Sequence, residues 1–344
     1  MNSRNRKYID MVAAAVMLAL FCPLVQLRAG DDLRSEKENG RPGKTRFSKE
    51  EEVKVKHLVS MLRSPYSKRK KVAEKLAAFG RPVLTYILPE LKTNDSIMHL
   101  GTIDVLKALG DSASIDRLLE LVERDEKGLR RTKTDVRVYA ADVILQLGTE
   151  EMKNRVIQTV DDSDDFYVKE LIKLFGKHKV QKAIPKISAM ALENTTDLMT
   201  AVSVCRSLNA YGSAQATAVL AGFLSSEDIY LRRLSLVLLA ENAFGSKYKA
   251  AILKCLNSGK KEELEEACRT CGKLKLKEAI SRLLKLVRDD ACSYFVRWEA
   301  LDALVKIGDN SVAQKLEEIA VEIKGEASLI KKAQQVIREL ESKE

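Results

Sequence analysis

The sequence predicts an all-α fold, a right-handed α-solenoid of antiparallel helix pairs, and three observations lead there. The chain of 344 residues is 45% hydrophobic but only 5% aromatic, with six prolines. It is rich in Ala, Leu, Lys and Glu, a balance that favours helices. From Ser48 onward, amphipathic runs end at Gly80, Gly110, Gly148, Gly176, Gly212, Gly245, Gly272 and Gly308, a loose period of roughly 27–38 residues in the range of stacked helix pairs. Before each of these glycines the same apolar pattern returns, as an array of repeats requires.

The N-terminal segment stands apart from that array. Arg4, Arg6 and Lys7 precede an uncharged, mostly apolar run from Met11 to Leu27, followed by Leu27-Arg28-Ala29. Basic, apolar and small-residue regions in that order are the layout of a secretory signal, so residues 1–29 read as a signal peptide. The run reaches the lower limit for a membrane span. An uncleaved anchor over 11–27 is therefore the alternative, and membrane contact is expected only in that case. The remainder of the chain is expected to be secreted or periplasmic. Residues 30–47, charged and containing Gly and Pro, read as a flexible tether. Residues 48–344 then form the array, about eight to nine helix pairs. The formal net charge is +10. Removing the signal takes out Arg4, Arg6, Lys7 and Arg28 against Asp10, so the rest stays basic.

Within the array, each glycine is expected to be the left-handed residue that stops a second helix. Counting back from them, position −4 reads Leu76, Leu106, Ile144, Ile172, Leu208, Glu241, Cys268 and Leu304. Position −1 reads Phe79, Leu109, Leu147, Phe175, Tyr211, Phe244, Cys271 and Ile307. With positions −5 and −8 these share one helical face, the expected buried stripe. Glu241 breaks the pattern and marks a register shift in the sixth repeat. Cys268 and Cys271 have the C-x-x-C spacing of redox and zinc motifs, yet they fall on the stripe. They are read as small core hydrophobes, while a disulfide between them stays open. Cleavage of the signal leaves an odd number of cysteines, which argues against a disulfide framework.

First helices lie between the glycines, as in Lys179–Leu192 and Lys275–Val287, and lead through polar turns into second helices such as Asp135–Gly148 and Tyr294–Gly308. The residues Val136-Arg137 with Ala140-Ala141 and Leu147-Gly148, Val296-Arg297 with Ala300 and Ile307-Gly308, and Ala183-Ile184-Pro185 together resemble the HEAT-repeat family, especially its HEAT-like repeats named after phycobilisome lyases. The resemblance implies a HEAT/armadillo-like superhelix over about 290 residues. It implies little about function, because such arrays mostly serve as binding scaffolds. Position −11 is basic at Arg69, Arg137 and Arg297. In that family a basic residue here commonly bonds acids in inter-helix turns, so the resemblance implies structural roles for Arg137 and Arg297.

Little in the sequence points to catalysis. None of the histidines, His57, His99 and His178, is followed by Glu. This weighs against the di-iron hydroxylases built on HEAT repeats and against helical zinc motifs. There is no phosphate-binding G-x-x-x-x-G-K-[ST] and no G-x-S-x-G nucleophile turn. No catalytic residue, metal ligand or cofactor is assigned. Basic clusters at Lys68–Lys71, Lys127–Lys133 and Lys273/Lys275/Lys277 read as solvated surfaces, and an export signal argues against a nucleic-acid partner.

The second helices of such an array line its concave side. Opposite the core stripe, position −6 is acidic at Glu74, Asp104, Asp142, Glu170, Glu266 and Asp302, and position −10 is apolar at Leu100, Val138, Phe166, Val202 and Trp298. Apolar residues beside a row of carboxylates suggest a groove for an unidentified protein partner, with Asp104, Asp142, Phe166, Glu170, Glu266, Trp298 and Asp302 as its candidate residues. The competing reading is that pairs such as Glu170–Lys173 merely solubilise a helix. The expected function is an exported, non-catalytic protein-binding scaffold. The alternatives are an accessory lyase or other enzyme using the groove as a pocket, or a nucleic-acid binder using the basic clusters.

Overall fold

The computed structural model describes residues 46–123, 131–160, 165–193, 198–323 and 326–342. The signal peptide, the alternative anchor and nearly all of the tether lie outside these residues. Among the described residues every regular element is a helix, and none is long and apolar enough to cross a membrane. They fall into two compact units divided between Ala183 and Ile184.

In the first unit the second helices Tyr66–Ala77, Ser96–Leu109, Arg131–Leu147 and Asp165–Lys177 stack in series as one layer. First helices, including Lys49–Ser60, Leu119–Val122 and Glu150–Gln158, form the other. The second unit repeats the plan. Its second helices are Leu198–Tyr211, Ile229–Glu241, Lys261–Lys273, Tyr294–Ile307 and Ala327–Glu341. Its first helices include Ala214–Gly222, Lys249–Cys255, Ile280–Arg288 and Ala313–Glu322. Each unit is thus an α-solenoid of helix pairs, and its core lies between the two layers.

The polar turns set the helix starts. Asp95 accepts from the backbone N–H of Ile97 and Met98, Asp228 from those of Tyr230 and Leu231, and Ser293 from that of Val296. Such N-caps satisfy donors that the helix itself cannot, each worth about 0.5–2 kcal/mol. The apolar stripe fills the core: Leu76, Leu106, Ile144, Ile172, Leu208, Cys268 and Leu304 are all buried. A fully buried leucine or isoleucine contributes about 1.5–3 kcal/mol.

The helix ends correct the sequence reading in part. Gly80, Gly110, Gly212 and Gly308 have positive φ as expected, but Gly148, Gly176, Gly245 and Gly272 do not. Three residues beyond Gly176 and Gly272, Lys179 and Lys275 take φ +53°, and these two helices end at Lys177 and Lys273, two residues later than the glycines suggested. Gly272 serves a different need. A Cβ there would lie 2.9 Å from the Cα of Ala303, so glycine lets Lys261–Lys273 press against Tyr294–Ile307. The register shift expected in the sixth repeat is present: the helix ends at Glu241, which is exposed, and Gly245 lies buried in the following turn.

Aligned on the left-handed stops, position −6 holds Lys173 rather than Glu170 and Arg269 rather than Glu266. The row of acids is therefore not continuous. With Asp142 still counted from Gly148, it reads Glu74, Asp104, Asp142 and Lys173 in the first unit, and Arg206, Arg269 and Asp302 occur along it in the second.

Candidate functional site

The acidic candidates mostly tie neighbouring second helices together. Asp104 is buried, and it accepts from Arg69 Nε at 2.7 Å and from the Tyr139 hydroxyl. It thereby links three successive second helices. Burial, and then the bond to Asp104, push the Tyr139 hydroxyl pKa upward. Asp142 is the next such link. Its Oδ1 meets Lys177 Nζ at 2.6 Å and His178 Nε2 at 2.7 Å, and Lys107 Nζ lies 3.6 Å from Oδ2. Burial works to raise the Asp142 carboxyl, but the bonds from His178 and Lys177 outweigh it and hold the group well below the usual carboxylate range.

Beside Asp142 the first unit has a shallow concavity of about 250 Å³ lined by Val138, Tyr139, Asp142, Phe166, Glu170, Leu174 and Lys177. Two neighbouring second helices supply these residues. Phe166 is 42% exposed at its rim. Glu170 pairs with Lys173 at 2.5 Å. The candidates Asp142, Phe166 and Glu170 therefore share one surface.

In the second unit Glu266 pairs with Arg269 at 3.1 Å, and the same guanidinium reaches Glu299 at 2.8 Å. Asp302 pairs with Lys306 at 2.5 Å and with Lys332 at 3.5 Å. Burial opposes the Asp302 shift, yet these lysines lower its carboxyl pKa. Trp298 is half-buried. Its ring lies 5.7 Å from that of Tyr294, and Lys332 Nζ sits 5.3 Å from its centroid. Lys332, from the following second helix, thus joins Trp298 to Asp302.

The remaining candidates lie in the core. Arg137 donates to the carbonyl of Val122 at 3.0 Å and stacks 4.1 Å over the ring of Tyr167. Arg297, 2% exposed, donates to the Val287 carbonyl at 2.8 Å and pairs with Asp290 and Glu326. Cys268 and Cys271 are fully buried free thiols. Burial pushes the Cys271 thiol up to about 12 and raises that of Cys268 as well. A thiol so buried and protonated is a poor nucleophile at neutral pH. Among the described residues no group of three or more His, Cys, Asp or Glu side chains gathers in a way that could hold a metal ion.

Sequence reasoning missed two features. Arg232 binds Glu263 through two bonds of 2.8 and 2.7 Å and donates to the Ser226 carbonyl at 2.7 Å. It is the fourth residue of its helix, as Arg69 and Arg297 are of theirs. Counting from the cap Asp228, rather than back from Gly245, would have found it. The second feature is large apolar residues left exposed at the starts of second helices: Ile97 in the first unit, which joins the already expected Phe166, and Met199, Tyr230 and Phe295 in the second. Each is the second residue of its helix, where an apolar side chain just past a polar turn is the available signal.

Comparison with known proteins agrees with this architecture. Residues 250–327 match the family of HEAT repeats. Kap121p bound to Pho4p has a similar structure, with a TM-score of 0.53 and 13% identity over 96% of this chain and 43% of that one. This chain therefore spans less than half the length of Kap121p. Human deoxyhypusine hydroxylase matches at a TM-score of 0.32 and 16% identity, over 85% of this chain and 97% of that one. The CpcE–CpcF phycocyanin lyase of Nostoc sp. matches at 0.35 and 15%, over 74% and 92%. No curated protein matches the sequence. At such identities the likeness shows the fold alone.

Proposed function

We propose that the chain is an exported, non-catalytic scaffold that binds a protein partner on the outer surface of its second helices. The observation that carries this reading is the concavity of the first unit, where Phe166 stands exposed above Asp142, Glu170 and Lys177. Those charged groups already hold one another or a neighbour. An apolar anchor in a surface dip gains from being covered by another protein. Chemistry would instead need groups left able to exchange a proton or an electron pair with a substrate. Kap121p, which shares the solenoid fold, was crystallised bound to Pho4p, and this supports the same use of the fold here.

Affinity purification of the mature chain, compared with Phe166→Ser, tests the proposal. A defined protein partner is expected with the parent chain and at least about tenfold less of it with the variant, at unchanged melting temperature. Recovery of nucleic acid alone, or equal recovery by both chains, would reject it. Export is tested by sequencing the N-terminus of the protein in the envelope fraction. A start at Gly30 is expected, and a cytoplasmic chain retaining Met1 would reject export.

A further inference from the structure

Helices Leu198–Tyr211 and Ile229–Glu241 lie side by side in the second unit. The second, fifth and ninth residues of the first are Met199, Val202 and Arg206. Those of the second are Tyr230, Arg233 and Val237. Steps of three and four residues put each set on one helical face, and that face is turned outward. Met199 is 62% exposed and Tyr230 57%, whereas Val204, Leu208, Leu231 and Leu239 are buried.

The two arginines on this face differ from those around them. Arg232 and Arg269 each bind carboxylates closely. Arg206 and Arg233 have no ion-pair partner among the described residues, and Arg233 Nε is buried without a hydrogen-bond partner. A buried donor left unmet is costly. A carboxylate arriving at the outward N–H groups of that guanidinium would pair with them in the geometry a guanidinium favours.

We infer that this face of the second unit binds an acidic, apolar segment of a partner protein, its carboxylates held by Arg206 and Arg233 and its apolar side chains covered by Met199 and Tyr230. The inference rests on the reading of the chain as a protein-binding scaffold and adds the chemistry of the partner. A basic segment would meet two cations of its own sign. A nucleic-acid strand would find only two unpaired cations on this face, too few for the many phosphate contacts that such binding rests on. A peptide with spaced carboxylates suits a cationic strip two helices wide.

Fluorescence anisotropy on the full mature chain tests this with three short labelled peptides. One combines Glu with Leu and Phe, one has Lys in place of Glu, and one combines Glu with Ser. The Glu/Leu/Phe peptide should bind alone among the three and weaken as salt is raised. Arg233→Glu, Arg206→Glu and Tyr230→Ser should each lower its affinity about tenfold or more. Arg233→Lys should lower it less, and Phe166→Ser should leave it unchanged. Equal binding of the Lys or the Glu/Ser peptide, no binding of the Glu/Leu/Phe peptide, or indifference to Arg233→Glu would overturn the inference. The scaffold reading fails separately, if no protein partner is lost on Phe166→Ser.

Discussion

Replacing Asp142 by asparagine keeps the side chain's size and removes its charge, which measures what the links between second helices contribute. The bond to His178 joins two side chains that are 11% and 13% exposed. A bond of this kind to a charged group is worth about 1.5–3 kcal/mol. Lys177 and Lys107 are 59% and 35% exposed, so water screens them and each adds at most about 1 kcal/mol. Asp142→Asn should therefore cost about 2–4 kcal/mol in urea unfolding at pH 7. Glu170→Gln, which loses only the contact with exposed Lys173, should cost less than about 0.5 kcal/mol. The pH dependence has a definite sign. The folded carboxyl is held below its unfolded value of about 3.9. The stabilisation is thus complete above that value and is lost as pH falls from there through the folded pKa. The gap between the parent and the Asn variant should hold steady from pH 7 to pH 5 and narrow progressively as pH falls below about 4. A cost below about 1 kcal/mol at pH 7, or a gap that does not narrow in acid, would refute the role assigned to Asp142.

The helix ends and the thiols offer two further tests. Lys275→Gly should raise stability by about 0.5–1 kcal/mol by relieving the left-handed backbone, whereas Gly272→Ala should lower it by about 1–3 kcal/mol through collision with Ala303; thermal melts giving the opposite signs would return the helix stop to Gly272. Among the described cysteines, iodoacetamide at pH 8 should label half-buried Cys292 first and reach Cys205, Cys255, Cys268 and Cys271 only in denaturant, because burial keeps those thiols protonated; mass spectrometry finding Cys271 labelled in the folded chain would contradict the core packing.

The sequence by itself determined the helix pairs, the polar caps that start them and the stripe that fills the core. These are local or periodic properties. Asp95, Asp228 and Ser293 cap their own helices, and an apolar residue at every third or fourth position shows its face without knowledge of its neighbour. It also carried the register break at Glu241. Where the helices end was decided by tertiary structure. Gly272 looks like a stop, but close approach to Ala303 claims it, and the helix continues until Lys275 takes the left-handed turn. That displacement moved Arg269 into a place reserved for an acid, and the same displacement before Lys179 brought in Lys173. Nor could the sequence tell a carboxylate facing a partner from one facing the next repeat. Asp104 and Asp142 occupy the outward row by counting, yet they are buried because Arg69, Tyr139, Lys177 and His178 reach them from helices about 35 positions away. Conversely, Arg206 and Arg233 resemble any solvated arginine in the sequence, and only the packing of two helices leaves them without carboxylate partners among the described residues. Whether a surface charge is spent or available depends on which side chains come within about 4 Å, and stacking of the repeats fixes that distance after local preferences have been met.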